Sequence, residues 1–280
     1  MTTLRQRILT SIMALLLSQQ CLALIPEIRI PSPDQALKHS GVAQNHSLDA
    51  KSIKLLNWNI YKGAKSLWAS DFAKIKENYD LLTLQEIQTK SEVEKQLTQM
   101  DRYESIYAFS FEYLEDNSLT GLATLSKANN IEKIYRVTHD FEPIIKTPKV
   151  SLYTKYRIAN ELGETEAHLL VVNIHGINFV RKLAFTNQLS QVREEIQKHH
   201  GPVILAGDFN TWSSGRMIAL YNLTKSLKLS PVRFTPDTRK KVMGLALDHI
   251  FYRGLNLKEA NSLHQIKSSD HVAMEVEFSL

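Results

Sequence analysis

From residue 53 to residue 278, short apolar runs of the kind that form buried strands alternate with stretches whose apolar residues recur at helical spacing. Residues 53–58 read as a strand, 72–78 as an amphipathic helix, 81–84 as a second strand and 93–100 as a second helix. Further strands are expected at 122–125, 151–158 and 169–174. Phe185, Leu189, Val192 and Ile196 recur every three or four residues, which predicts a helix with one face on the core. The run Val203-Ile204-Leu205 after the Gly201-Pro202 break predicts another buried strand. Some of these strands are continuously apolar and others alternate, as in a sheet-rich α/β domain with mixed or antiparallel pairing.

The N-terminal part reads differently. Arg5 and Arg7 precede an apolar stretch over 8–17, and Cys21-Leu22-Ala23 resembles a small-x-small cleavage site. Residues 1–23 are therefore expected to be a secretory signal peptide, with export to the periplasm or the medium, because about ten apolar residues fall short of the roughly 20 that span a bilayer. Residues 24–51 are polar and spaced by Pro26, Pro31 and Pro33, and are expected to be a linker. With 43% hydrophobic and 22% charged residues, the chain is neither disordered, collagenous nor a coiled coil, and its length suits one domain over 52–280. Cys21 is the single cysteine, so no disulfide can form within the chain, and with residues 1–23 removed the mature protein has no cysteine, which suits an oxidising compartment without proving one. The net charge of +5 permits a polyanionic partner without requiring it.

Polar residues that bind metal or move protons recur at the ends of the apolar runs: Asn59, Glu86, His175, Asp208 and Asn210. Strand ends converge on one edge of a sheet, where α/β sites are commonly built. Any single Asn or Asp here reads equally as a turn former, and the repetition is what carries weight. With Asp248 and Asp270 the set offers hard oxygen ligands and no thiolate, which favours Mg²⁺ or Mn²⁺ over Zn²⁺. There is no His-Glu-x-x-His, P-loop, dinucleotide fingerprint or Gly-x-Ser-x-Gly elbow, which leaves metal-assisted hydrolysis at a phosphate.

Seven short motifs stand in order: Asn57-Trp58-Asn59-Ile60, Leu84-Gln85-Glu86, Gly121-Leu122-Ala123-Thr124-Leu125-Ser126, Asn173-Ile174-His175, Gly207-Asp208-Phe209-Asn210, Leu247-Asp248-His249-Ile250 and Ser269-Asp270-His271. Together they resemble the endonuclease/exonuclease/phosphatase superfamily with the DNase I-like fold, and within it the sequence is similar to the bacterial YafD-like proteins. The resemblance implies a four-layer α/β/β/α sandwich with a site at one end. It also implies Glu86 as principal metal ligand, Asn59 in support, Asp270 as a further ligand, and Asp208 and Asn210 orienting the attacking water and the phosphate. His271 with Asp248 matches the acid/base dyad, a pairing in which the carboxylate fixes the tautomer and raises basicity at the other nitrogen. Whether His271 or Asp208 takes the proton is left open. His175 matches a second family histidine at the phosphate, although a hydrogen-bonded structural histidine fits that position equally. Two departures stand out: Val272 where many relatives have proline, and no recognisable acidic partner for His175 among Glu112, Glu115 and Asp116.

For the substrate, Tyr61-Lys62, Trp212, Arg216, Arg233, Arg253 and Arg239-Lys240-Lys241 offer the basic and aromatic groups that a nuclease needs. The run at Arg239 reads equally as a solvated loop, and Trp212 as a cover for a helix start capped by Ser213 or Ser214. Phe179-Val180 is the one candidate for an apolar lip that enters lipid, and it reads equally as core. Inositol-polyphosphate phosphatases of the superfamily carry Cys-Asp-Arg near the dyad aspartate, where Ala246-Leu247-Asp248-His249 stands here. The expected function is a secreted, monomeric, Mg²⁺- or Mn²⁺-dependent phosphodiesterase acting on nucleic acid. A phospholipase C or sphingomyelinase-type enzyme is the alternative, and a non-catalytic binding protein of the same fold the third reading.

Overall fold

The apolar runs become the central strands of two large sheets. The computed structural model describes residues 25–280, so the expected signal peptide lies outside the described residues. In chain order the first strands are β1 (Ile28–Arg29), β2 (Leu37–Ser40), β3 (Leu48–Asp49), β4 (Ile53–Asn59), β5 (Leu81–Gln88), β6 (Glu104–Tyr113), β7 (Leu119–Ser126) and β8 (Asn130–Val137). They are followed by β9 (Val150–Asn160), β10 (Gly163–His175), β11 (Val203–Asp208), β12 (Ser230–Pro231), β13 (Lys241–Val242), β14 (Leu245–Ala246), β15 (Asp248–Arg253), β16 (Asn256–Ser262) and β17 (Met274–Ser279). The helices are α1 (Pro33–Ala36), α2 (Trp68–Ile75), α3 (Glu92–Thr98), α4 (Lys182–Gln197) and α5 (Ser214–Ser226).

One sheet has the order β1-β6-β7-β5-β4-β17-β16, with β2 also paired to β6. The other has the order β12-β15-β11-β10-β9-β3, with β8 also on β9. Successive strand residues point to opposite faces. Leu56, Trp58, Leu82 and Leu84 therefore pack outward against Trp68 and Phe72 of α2 and Val93 and Leu97 of α3. Their neighbours Ile53, Leu55 and Leu81 pack inward against Val171, Ile204 and Ala206 of the second sheet. On the far side of that sheet, Leu170, Val172, Val203 and Leu205 meet the predicted seam Phe185, Leu189, Val192 and Ile196 of α4, with Leu220 and Leu223 of α5. The result is the four-layer α/β/β/α sandwich. Covering both faces of each sheet is what requires continuously apolar central strands.

The stretch expected as a linker is built into the domain instead. β1 and β2 pair with β6, β3 pairs with β9, and Ala36 and Leu48 are buried. Arg29 also donates two hydrogen bonds to Glu112, at 2.9 and 2.6 Å. Strands of two to four residues are too short to show a period of their own, and they take their register from the long strands beside them.

A polar contact crosses the space between the sheets directly under the strand ends that carry Glu86 and His175. Gln85 Nε2 donates to Asn57 Oδ1 (3.0 Å) and to Asn173 Oδ1 (2.8 Å), and Asn173 Nδ2 donates to the carbonyls of Leu84 (3.1 Å) and Ala123 (2.9 Å). Buried polar groups of this kind hold their elements in one arrangement because any other leaves them unpaired. Gln85 precedes Glu86 and Asn173 lies two residues before His175, so this contact sets the spacing between site residues of the two sheets.

Candidate active site

Strand register assembles the site. β4 runs parallel to β5 with Asn59 opposite Gln85, β10 runs parallel to β11 with His175 opposite Asp208, and β15 runs antiparallel to β11 with Asp248 opposite Asp208. The two parallel pairs, one in each sheet, thus bring their C-terminal ends together where β15 begins. Glu86 sits at a register shift between β5 and β7 with φ at 58°, a left-handed backbone that a non-glycine residue adopts at a cost of about 1–3 kcal/mol. The bulge turns its carboxylate out of the strand and into the site.

Asn59 Nδ2 donates to Glu86 Oε1 and to Asp208 Oδ2, both at 3.1 Å, while its Oδ1 accepts from the Tyr61 amide at 3.1 Å. The Tyr61 bond fixes which way the amide faces. His271 Nδ1 donates to Asp248, with Oδ2 at 2.8 Å and Oδ1 at 3.0 Å, and Nε2 faces Asp208 Oδ2 at 3.8 Å. The loop carrying His271 is stitched to β4: Trp58 Nε1 donates to the His271 carbonyl (3.2 Å), and Ser269 Oγ donates to the Asn59 carbonyl (2.7 Å).

Burial alone would depress the His271 imidazole, but the Asp248 carboxylate and its hydrogen bond, with the charges of Asp208 and Asp270, lift it to about 10. Burial, then the neighbouring Asp248 charge, raises Asp208 to about 7. His175 Nε2 lies 3.6 Å from Asp208 Oδ2 and 4.0 Å from Glu86 Oε1. Its burial, and then the charges of Lys149, His271 and Lys62, hold it well below the usual histidine range. It is therefore a neutral imidazole at pH 7. Asn210, also left-handed at φ 51°, closes the group: its amide N–H donates to Asp208 Oδ1 (2.8 Å) and its Nδ2 to the Gly176 carbonyl (2.9 Å). A Cβ at Gly176 would meet the Phe209 carbonyl oxygen at 2.5 Å, so only glycine allows the loop after His175 to pass this close.

Asn59, Glu86, His175, Asp208, Asn210, Asp248 and His271 thus converge. Asp270 stays at the rim, exposed and without a hydrogen bond or ion pair among the described residues, and reaches the site through its charge on His271. The carboxylates that face His175 are Glu86 and Asp208, while Glu112 is tied to Arg29 and Asp116 to the Ser118 amide.

The donor set fits a hard divalent cation. Asp208, Asp248 and His271 offer ligand atoms within 4.8 Å of one another, but both Asp248 oxygens are turned to His271. Glu86 and Asp208 remain, two carboxylates sharing one amide donor, and among the described residues no lysine or arginine contacts either. Two neighbouring carboxylates with one amide donor between them repel each other, and oxygen ligands of this type suit Mg²⁺ or Mn²⁺.

Several of the basic candidates are structural. Arg216 is buried, stacks on Phe185 with 3.8 Å to the ring centroid and donates to the Ile177 carbonyl; Arg253 donates to the carbonyls of Leu227 and His199; Arg239 pairs with Asp237. Ser213 caps α5 as expected, its Oγ accepting from the Arg216 amide, and Trp212 Nε1 donates to Asn178 Oδ1 at 2.8 Å. Phe179 is 73% exposed and so belongs to the surface, not the core. Lys149, Tyr113 and Glu142, which carry no motif, join Lys62 beside the site through tertiary contact alone.

His249, next to the dyad, has a different task. Its Nε2–H donates to the Ala246 carbonyl (3.1 Å) and lies 2.8 Å from Thr211 Oγ, and Nδ1 faces Arg239 at 3.4 Å. Burial and the Arg239 charge lower it to about 3 from the usual 6.5. A histidine depressed in the folded state stays neutral while the unfolded chain takes up a proton. Stability is therefore unaffected above about pH 6.5 and falls as the pH drops from there towards 3. Urea midpoints across this range should show that slope, and His249→Asn should flatten it.

The sequence profile described as "Endonuclease/Exonuclease/phosphatase family" matches residues 56–271. A UPF0294 protein of Erwinia tasmaniensis is 34% identical over 255 residues, which is 89% of this chain and 90% of that protein. Among solved structures, a mannosyl-6-phosphatase of Bacteroides thetaiotaomicron superposes with a TM-score of 0.60 at 14% identity, covering 81% of this chain and 100% of the other. Sphingomyelinase C of Streptomyces griseocarneus superposes with a TM-score of 0.55 at 14% identity, covering 82% and 99%.

Proposed function

Because the chain belongs to the endonuclease/exonuclease/phosphatase family, we propose that it is an exported, Mg²⁺- or Mn²⁺-dependent phosphodiesterase that hydrolyses nucleic acid by in-line attack of water. One arrangement carries the reading: Asp248 holds His271 Nδ1, which aims Nε2 at Asp208 3.8 Å away, beside the Glu86–Asn59–Asp208 group. A bound cation, held by Glu86 and Asp208 with Asn59 in support, supplies neutralisation of the phosphate oxygens. Asp208 and His271 together orient the attacking water, one of the two receiving its proton, and the fixed Asp248 keeps the imidazole in the useful tautomer. His175, neutral and facing the same carboxylates, donates a hydrogen bond to a phosphate oxygen. The leader read over residues 1–23 supports export.

A phospholipase C reading has an observation of its own. Phe141, Ile144, Phe179 and Leu183 are 48, 70, 73 and 71% exposed on two neighbouring segments, which are joined by the Asn178 amide to Glu142 and by Asn187 to Asp140. Exposed apolar side chains in such a group are what a lipid surface would take up. Nucleic acid remains the first reading because Lys62 and Lys149 flank His175, where a choline head group would meet like charge.

The test is metal-dependent product release from duplex DNA, single-stranded RNA, sphingomyelin vesicles and a chromogenic phosphodiester, with Asp208→Ala as control. Nucleic-acid cleavage that is lost in the variant and falls steeply with salt supports the proposal. Lipid cleavage alone moves the function to the second reading, and no metal-dependent turnover of any of the four defeats both.

A further inference from the structure

A cavity of about 110 Å³ opens beside Glu86 and His175, lined among others by Lys62, Tyr113 and Lys149. Lys62 sits in the turn after β4 with a left-handed backbone (φ 54°). Its Nζ donates to Tyr113 OH at 2.7 Å and lies 5.2 Å from that ring's centroid. Lys149 Nζ is 3.2 Å from Glu142 Oε2, and Glu142 is itself held by Thr147 Oγ (3.0 Å) and the Asn178 amide (2.8 Å). An ammonium has three N–H donors. Lys62 and Lys149 each spend one on a side chain, and among the described residues the others find no protein acceptor. Lys62 and Lys149 line the same cavity as Glu86 and His175, which places both ammonium groups beside the candidate site.

The size and chemistry select the occupant. The volume is well below the roughly 300 Å³ at which drug-sized ligands begin to fit, so a compact group of a few heavy atoms is admitted and a nucleobase is not. The N–H donors that Lys62 and Lys149 have left, beyond the Tyr113 hydroxyl and the Glu142 ion pair, call for an anion with several acceptor oxygens, as a phosphoryl group provides. Glu86 and His175 line the same cavity, which puts that group next to the one being hydrolysed.

We propose that this cavity is a subsite for a second phosphoryl group, the neighbour of the scissile diester along the substrate chain, with Lys62 and Lys149 as its donors. The inference rests on the phosphodiesterase reading and deepens it, since it makes a run of phosphates the preferred substrate over an isolated diester. Binding of three thymidine dinucleotides (unphosphorylated, 5′-phosphorylated and 3′-phosphorylated) to Asp208→Asn protein with Mg²⁺, measured by calorimetry, tests it without turnover. One of the two terminal phosphates should tighten binding about tenfold, and the double variant Lys62→Gln/Lys149→Gln in that background should abolish the gain. Lys62→Gln alone should reduce it, which keeps the test decisive if the double variant does not fold. Equal binding of all three ligands, no binding of any, or a gain that survives both substitutions overturns the subsite. If the gain appears and the intact enzyme cleaves no diester, the hydrolase reading has failed and the subsite has not.

Discussion

Alanine at His271 lowers kcat by at least about 10²-fold on any phosphodiester the enzyme turns over, the scale typical of a positioned acid/base group. The side chain is fixed from both sides, by Asp248 on Nδ1 and by Trp58 on its carbonyl, so it enters catalysis with little reorganisation. KM should change far less than kcat, because the imidazole acts on the reacting water and not on substrate docking. Asp248→Asn is the informative partner variant. It keeps a similar shape while removing the charge that lifts His271 to about 10. Because the Asp248 charge raises Asp208 as well as His271, the acid limb of the kcat profile moves to lower pH in Asp248→Asn whichever of the two accepts the proton; the residual activity of His271→Ala separates them, since it keeps an acid limb only if Asp208 is the acceptor. Near-normal kcat in His271→Ala would remove the dyad from the mechanism.

Glutamine at Glu86 raises the Mg²⁺ concentration for half-maximal activity by at least about tenfold, since even outer-shell partners of a metal site cost 10–100-fold when removed. The variant keeps an oxygen at the Asn59 contact and loses the negative charge that the cation would balance. A second readout needs no substrate. Mg²⁺ stabilises a folded protein that binds it, so it should raise the Tm of the wild type and have little effect on Glu86→Gln. A wild-type response to Mg²⁺ that is identical in Glu86→Gln would exclude this carboxylate as a ligand. The metal-free variant should be no less stable than the wild type, because the substitution removes the charge from one of two carboxylates that share a single amide donor.

The two kinds of site residue differ in how they could be read. Asn59, Glu86, His175 and Asp208 each terminate or interrupt an apolar strand, so strand periodicity followed by a polar residue marks them along the chain. Asp248 and His271 come from the start of β15 and the loop before β17 and were reached through motif order, since nothing local pairs residues 23 positions apart. Asp270 carries the same motif and stays at the exposed rim, because a loop residue's direction depends on what the loop packs against.

The pattern of apolar and polar positions was enough for the central strands, the α4 seam, the sheet-rich α/β class and the strand-end residues Asn59, Glu86, His175 and Asp208, because all of these are local consequences of period 2 and period 3.6. Contacts between distant segments were needed for the rest. The two-residue edge strands exist because β6 and β9 offer them a ladder. Arg216 became a buried prop instead of a phosphate contact because Phe185 and the Ile177 carbonyl enclose it. Lys149 met Lys62 because β4 and the segment before β9 close over one cavity. Local periodicity reports which face of an element is buried. The partner that buries it is chosen by register and loop closure across the whole chain.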